Sequence, residues 1–581
     1  MIVPMKQITL LVSAREREQA LNTLRSLGVL HIKYVQQPVS DDINELRSKI
    51  EQAEKAEAAL ESESTAKGNA EKGKELTRHV LDLLAQKDEI QTLLDEKRET
   101  DSWFQNWGHV SLDSLEKLQQ AGLYLRFYVA SPEQYNELPE DADVMVIDAD
   151  KSRVRFLYIS PDPDARLDVP EYPMPDAEVS DLEKEIADLK KQLTDTEKEL
   201  KKASAKKPDI IAHKAELQKQ LEFENVRQSM AEEKSFQYLE GFIPKDQVDS
   251  IKKSADKEEW AYIIDDPDDP SQVPTLLRNK KPIRIIQPIY DFMGTLPGYH
   301  EMDVSFLFLL FFSIFYAMLV GDGGYGLIFL GGTIWAAKKY KNAPREPFIL
   351  FYVLSICTII WGLVTGTWFG SRAIAELPAL NMFVVDQISS FNDSEASMQF
   401  MMQLTFIIGV VQLVLARISA ALKKFPSLPF IAELGWVLIL SCMYFVAKLM
   451  VLGHSMPDFA LPLLIAGAVL VGLFANFQKN IIKGFFITLG NLPLDIISSF
   501  SDIVSYIRLF AVGIATVTVA VSFNEMAGGI MAPLVLVFGH GLNIILALMA
   551  VLVHGVRLNM LEFSGHLGME WTGHEYKPFK E

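Results

Sequence analysis

Two permanently charged side chains stand inside long apolar stretches of this 581-residue chain. Arg508 lies in "SDIVSYIRLFAVGIATVTVAV" and Arg557 in "GHGLNIILALMAVLVHGVRLNMLEFSGHL". An arginine at the centre of a membrane helix is unfavourable by about 2.5–3.5 kcal/mol on insertion scales, and such residues usually line an ion pathway or a water-filled cavity. Both have polar company at helical spacing. His540, Asn543, Ala547, Ala550, His554, Arg557, Leu561 and Ser564 recur every three or four residues and share one face of a helix, with Glu562 just beside it. Ser501, Val504, Arg508, Ala511, Ala515, Thr518, Ser522 and Glu525 form the second stripe. Apart from Val504 its uncharged members are small, so another helix can come close to Arg508. The plainer alternatives are buried structural ion pairs for the arginines and helix–helix hydrogen bonds for the histidines.

The elements that position these residues are membrane spans. Eight apolar runs recur from residue 303 onward, at about 303–320, 323–337, 348–370, 399–420, 432–452, 459–477, 495–525 and 532–565. The second is short and the last two are long enough to tilt. "KKYKNAPRE", "ALKKFP" and "NFQKNIIKG" after the second, fourth and sixth runs are basic, whereas the loops after the third, fifth and seventh carry almost no Lys or Arg. Every second loop is basic, which predicts a multi-pass protein with both termini on the cytoplasmic side.

Charge divides the chain. Residues 301–581 carry 15 Lys and Arg against 17 Asp and Glu, while residues 1–300 carry 41 against 58. So acidic a first half argues against nucleic acid as a partner. Its opening run, "MIVPMKQITLLVSARERE", is too short and too quickly charged for a signal peptide. Leucines and isoleucines at three–four spacing through 41–100 and 176–235 read as antiparallel coiled coils. The interruptions "ESTAKGNAEKG" and "KKASAKKPD" predict two hairpins, one continuous helix being the alternative. Short β-branched and aromatic runs predict small α/β lobes, a proximal one from 1–40 and 265–290 and a distal one from 101–175 and 236–264. Residues 1–290 are expected to form an elongated cytoplasmic arm, and 291–581 the membrane domain.

Other motifs carry less. "GDGGYG" at 321–326 fits G-x-G-x-x-G but is flanked by spans rather than by a strand, so a tight turn with close helix packing is the expectation. "GLVTGTWFG" would place Gly362, Gly366 and Gly370 on one packing face. Cys357 and Cys442 both lie in apolar runs and encode neither disulfide nor zinc site. No phosphate-binding loop or metal-ligand cluster is present, so no cofactor, metal or nucleotide hydrolysis by this chain is expected.

"SDIVSYIRLFAVGIA" resembles the S-Y-x-R-L-x-A-x-x-x-A segment of the membrane-embedded stator subunit of rotary V-type and A-type ATPases, called subunit a or, in prokaryotes, subunit I. "GHGLNIILALMAVLVHGVRLNMLEFSGHL" is similar to the family's G-H-x-x-N…H-x-x-R-L-x-x-x-E-F segment, and "HEYKPF" to its K-P-F ending. "VPMKQITLLV", "GVLHI", "PTLLRN" and "FSIFYAMLVGDGGYGL" extend the likeness over nearly the whole chain. The family's S-K-F-Y with glycines is here "SGHLGMEWTGHE", and its Y-G-E-I-D is "YHEMD". The compact first half favours the prokaryotic branch.

The resemblance implies a helical membrane protein whose Arg508 faces the carboxylates of a passing proteolipid ring, with Arg557 supporting it. Ser505, His540, Asn543, His554 and Glu562 would line half-channels for H⁺ or Na⁺ or hold the arginines. The arm would bind peripheral-stalk subunits. A ring-capping central-stalk subunit and nucleotide-binding A and B subunits complete the implied complex in the cell membrane. A secondary transporter with a regulatory coiled coil is the competing expectation, and would show paired repeats with broken helices. A non-transporting scaffold would leave both polar stripes idle.

Overall fold

Apolar residues at Ile8, Leu10 and Val12 alternate with more exposed ones, and the chain there forms the strand Met5–Ser13. The computed structural model describes residues 1–61, 68–108, 110–139, 141–233, 236–341, 343–391, 394–475 and 481–580. They divide into two units, 1–33 with 231–581, and 34–230.

In the first unit Met5–Ser13 pairs antiparallel with Phe236–Pro244 on one side and Ala261–Asp265 on the other. His31–Lys33 adds to the far edge of Phe236–Pro244. Residues 236–264 therefore do not complete a distal lobe as expected; they build the sheet of the N-terminal residues. Phe236–Pro244 is a central strand and its Leu239, Phe242 and Ile243 are buried. A partner more than two hundred residues away leaves no local trace in the sequence. Residues 570–579 return to the same lobe. Thr275 N donates to the His574 carbonyl at 2.6 Å, Phe579 N donates to the Leu30 carbonyl at 2.8 Å, and the Phe579 ring is buried.

The second unit holds the helices Asp41–Ala58, Ala70–Trp107, Val179–Ser204 and Lys207–Ser229, and an antiparallel sheet ordered Tyr124–Ala130, Val154–Ser160, Val144–Ala149. Two hairpins were expected, but the antiparallel partners come from opposite stretches. Lys97 pairs with Glu185 at 2.5 Å and Lys87 with Glu197 at 3.1 Å, so Ala70–Trp107 runs against Val179–Ser204. Asp42 meets Arg227 at 3.5 Å and Glu57 meets Lys214, so Asp41–Ala58 runs against Lys207–Ser229. Ala53, Ala56, Val80, Leu83, Leu200, Ala203 and Ile210 share one core where the four helices meet. The three–four pattern is the same whichever helix it faces, so it fixes the buried stripe and not the partner. Residues 63–67 of the first interruption lie outside the described residues.

The apolar half of the first unit supplies five helices long enough to cross a membrane: Arg345–Thr365, Glu395–Lys424, Pro429–Leu452, Gly490–Met526 and Gly529–Leu567. Ser305–Val320 and Gly323–Lys339 form a pair bent by 118°, a sixth candidate when taken as one span, and Ala460–Phe474 is shorter at 15 residues. Among the described residues there are thus five or six candidate spans, where eight apolar runs were expected. The bend has a local cause. Gly321 ends the first helix at φ +68°, and Asp322 caps the second by accepting from the Gly324 and Tyr325 amides. Part of the third basic loop, 476–480, lies outside the described residues.

Candidate functional site

Arg508 sits just past a break. The helix Ile481–Ser505 ends, Tyr506 turns, and Ile507–Met526 continues. Tyr506 is fully buried; its hydroxyl donates to Gln412 Oε1 at 2.7 Å, and its ring fills space that any side chain at Gly409 would need. The Ser505 carbonyl accepts from Arg508 Nε at 2.9 Å, which satisfies an oxygen at the end of a helix. Arg508 Nη2 also reaches Ser505 Oγ and lies 2.5 Å from Glu562 Oε1. Ser505 Oγ donates to that same carboxylate oxygen at 2.7 Å. Arg557 Nε is 3.7 Å from it, with its side chain half exposed.

The last helix presents Glu562 because it is not a regular α-helix. Val551–Gly555 and Leu558–Phe563 are π-helical turns. Each widened turn sets the residues that follow it back around the axis. Leu561, expected on the polar stripe, is 60% exposed, whereas Glu562, expected beside it, is 6% exposed. One carboxylate oxygen therefore serves two guanidinium groups and a hydroxyl. The other, Oε2, is buried without a hydrogen bond among the described residues. Two cations against one anion leave a single positive charge in excess.

His540 and Asn543 belong to a different cluster. Asn543 Nδ2 donates to the Tyr325 hydroxyl at 2.9 Å and to the Thr516 carbonyl at 2.8 Å. His540 lies 2.8 Å from Tyr325 Oη through Nδ1 and 3.2 Å from Asn524 Oδ1 through Nε2. Asn524 Nδ2 donates to the Phe369 carbonyl at 2.6 Å. An amide oxygen only accepts, so Nε2 carries the imidazole hydrogen and Tyr325 donates to Nδ1. Every member is satisfied with His540 neutral. His554 joins neither cluster; its Nδ1 is buried without a partner among the described residues.

No family model matches the chain. It is 32% identical over 623 aligned positions to V-type ATP synthase subunit I of Borreliella burgdorferi, covering the whole of both chains. It is 30% identical to V-type ATP synthase subunit I 1 of Treponema pallidum, again over the full length of both. The chain belongs to the V-type ATP synthase subunit I family. A crystal structure of the cytoplasmic N-terminal domain of a subunit I, a homolog of subunit a of V-ATPase, is also similar, at 16% identity and a TM-score of 0.25 over 45% of this chain and 99% of that one. That likeness is too slight to carry the fold.

Several polar residues of this subunit I carry no signal in the two stripes. Asp322 is fully buried and accepts four backbone N–H groups, from Gly324, Tyr325, Phe369 and Gly370, at 2.7–3.3 Å. It pins the loop after Arg345–Thr365 to the bend. That helix ends at Gly366, so Gly366 and Gly370 are loop residues at positive φ and the three glycines do not share one helix face; Gly362 packs beside Gly323, while Gly370 packs against Ala520 and donates to Asp322. Gln412 donates to Asn559 Oδ1 at 2.9 Å. Arg417 pairs with Glu433 at 3.1 Å and His566 with Asp502 at 3.0 Å. The readable signal was the same as for Arg508: an uncompensated polar residue inside an apolar run, which Gln412, Arg417 and Glu433 all are.

Proposed function

We propose that this chain works as the membrane stator subunit of a V/A-type rotary ATP synthase, carrying H⁺ or Na⁺ between two half-channels past a proteolipid ring. The observation that supports it most is the arginine pair held by one glutamate. Arg508 and Arg557 exceed Glu562 by one positive charge, and that surplus suits one ring carboxylate at a time. A carboxylate arriving there is favoured in its charged form, because an opposite charge within a few ångström lowers its pKa. Its ion then leaves by one half-channel, and the site reloads from the other once it has moved on. The fixed cation blocks direct passage between the two. In this account Arg508 carries the exchange and Arg557 supports it. Ser505 and Glu562 hold Arg508 in place, and His554 lines the approach. His540 and Asn543 hold the helices from which a half-channel is built. The driving force is about 2.3 kcal/mol per charge per 100 mV, so several ions are coupled to each ATP.

We infer further that residues 1–290 form a cytoplasmic arm for peripheral-stalk subunits, and that 291–581 form the membrane domain in the cell membrane. The chain makes no nucleotide chemistry of its own in this account; the A and B subunits of the same complex supply it, and a ring-capping subunit joins them to the ring. The alternating basic loops favour a cytoplasmic location for both termini. Residues 574–579 lie against the N-terminal lobe, which supports a reading with both termini on one face of the membrane and an even number of crossings. A transporter would claim the bent pair at Asp322 as its ion site, but that carboxylate is already filled by four amides. The test is purification of the chain from its native membrane in mild detergent. A proteolipid ring and nucleotide-binding subunits are expected with it; a chain that purifies alone, with ring and nucleotide-binding subunits intact elsewhere, would overturn the reading.

A further inference from the structure

Beside the arginine pair a cleft of about 480 Å³ opens, lined among others by Arg417, Trp436, Asp495, Asp502, Glu562 and His566. His566 is buried, and each of its ring nitrogens has one partner. Arg417 Nε donates to Nδ1 at 3.1 Å, and Nε2 lies 3.0 Å from Asp502 Oδ2. An arginine Nε always carries its hydrogen. The nitrogen facing it must therefore be the bare acceptor, and the ring hydrogen must point at Asp502. Turning the ring over exchanges the two nitrogens and leaves this conclusion unchanged. The site holds a neutral imidazole.

A second proton has one place to go, the nitrogen facing Arg417. Two N–H donors of like charge would then meet at a distance that suits a hydrogen bond. The imidazolium and this Arg417 contact exclude each other. Both partners have somewhere to settle. Asp502 holds the imidazolium as an ion pair. Arg417 keeps Glu433 at 3.1 Å through Nη1 and its place 4.9 Å above the Trp436 ring. Glu433 is steadied by Lys424 at 2.5 Å. The charged groups around His566 are then Arg417 and Lys424 on Glu395–Lys424, Glu433 on Pro429–Leu452, Asp495 and Asp502 on Ile481–Ser505, and Glu562 on its own helix.

We propose that His566 is a pH-operated latch on this cleft, resting on the reading that the cleft serves the ion path. Neutral His566 ties the last helix to Arg417 and leaves the Asp502 charge uncompensated, so the cleft attracts cations through Asp495 and Asp502. Protonated His566 releases Arg417 and neutralises Asp502, so cation entry slows as that side acidifies. His566→Gln is the neutral mimic: its amide accepts from Arg417 and donates to Asp502 but takes no proton. His566→Lys is the permanent cation.

The experiment uses the assembled complex in vesicles, with ATP-driven ion uptake measured per complex while the pH on the ATP side is stepped down. Relative to His566→Gln, wild-type uptake should fall by roughly threefold or more as the pH is stepped from neutrality down through and below the ordinary imidazole range. His566→Lys should remain at the low-pH level of the wild type throughout. An unchanged pH profile in His566→Gln, or a His566→Lys complex that follows the wild type near neutrality, overturns the latch and leaves the stator reading standing. Absence of ion uptake by an assembled, ATP-hydrolysing wild-type complex overturns both.

Discussion

Two of the polar clusters in the apolar half use similar side chains to opposite ends. Around Tyr325, the groups His540, Asn543 and Asn524 form a closed chain of donors and acceptors that ends on backbone carbonyls at Thr516 and Phe369. It carries no net charge and leaves none of these contacts half made. Around Glu562, two arginines and a serine converge on one oxygen, while the second oxygen has no hydrogen bond among the described residues. A buried polar network whose members are all satisfied rigidifies a core; one left partly satisfied is high in energy unless something else completes it. In the proposed mechanism the first cluster fastens helices and the second receives a ring carboxylate.

Substitutions should separate the two. The largest structural effect is expected from Asp322→Ala, which strips the acceptors from four buried amides beside the first cluster. Each orphaned N–H costs roughly 1–3 kcal/mol, so little complex should assemble, as read by the yield of intact complex on native gels. Glu562→Gln is next, and acts on function. It keeps the shape but removes the one negative charge set against two arginines, so ring carboxylates should bind too firmly to move on. Ion flux per assembled complex should fall by an order of magnitude or more while assembly persists. Asn543→Ala should do the reverse, lowering stability by about 1–3 kcal/mol, seen as earlier thermal dissociation, with near-normal flux per surviving complex. Lys202→Ala, at an exposed pair with Glu199 on the coiled coil, should change neither melting nor flux measurably.

How far the sequence reached follows the same division. Arg508 and Arg557 were legible because a permanent charge in an apolar run is costly and usually marks a pathway or cavity. The sharing of Glu562 was not, since three–four spacing assumes 3.6 residues per turn and the two π-helical turns break that assumption. His540 and Asn543 sit on the same predicted stripe as Arg557 yet fall in another cluster, because Tyr325 and Asn524 reach them from elements that no stripe connects. In residues 41–235 the heptads fixed which faces are buried. They could not say that Asp41–Ala58 faces Lys207–Ser229, or that Phe236–Pro244 returns to Met5–Ser13. Partner choice over such separations depends on the packed whole.

In the proposed mechanism the charge on Arg508 drives ion exchange rather than holding helices together. This is tested by ATP-driven ion flux in reconstituted vesicles, normalised to assembled complex, for Arg508→Ala and Arg508→Lys. The alanine fits the helix without the charge, and the lysine keeps a charge but loses the planar fork that reaches Ser505 and Glu562 together. The account predicts assembled complexes with flux at background for alanine and severely reduced flux for lysine. Arg557→Ala should be reduced less completely. Near-normal flux per assembled Arg508→Ala complex would contradict it.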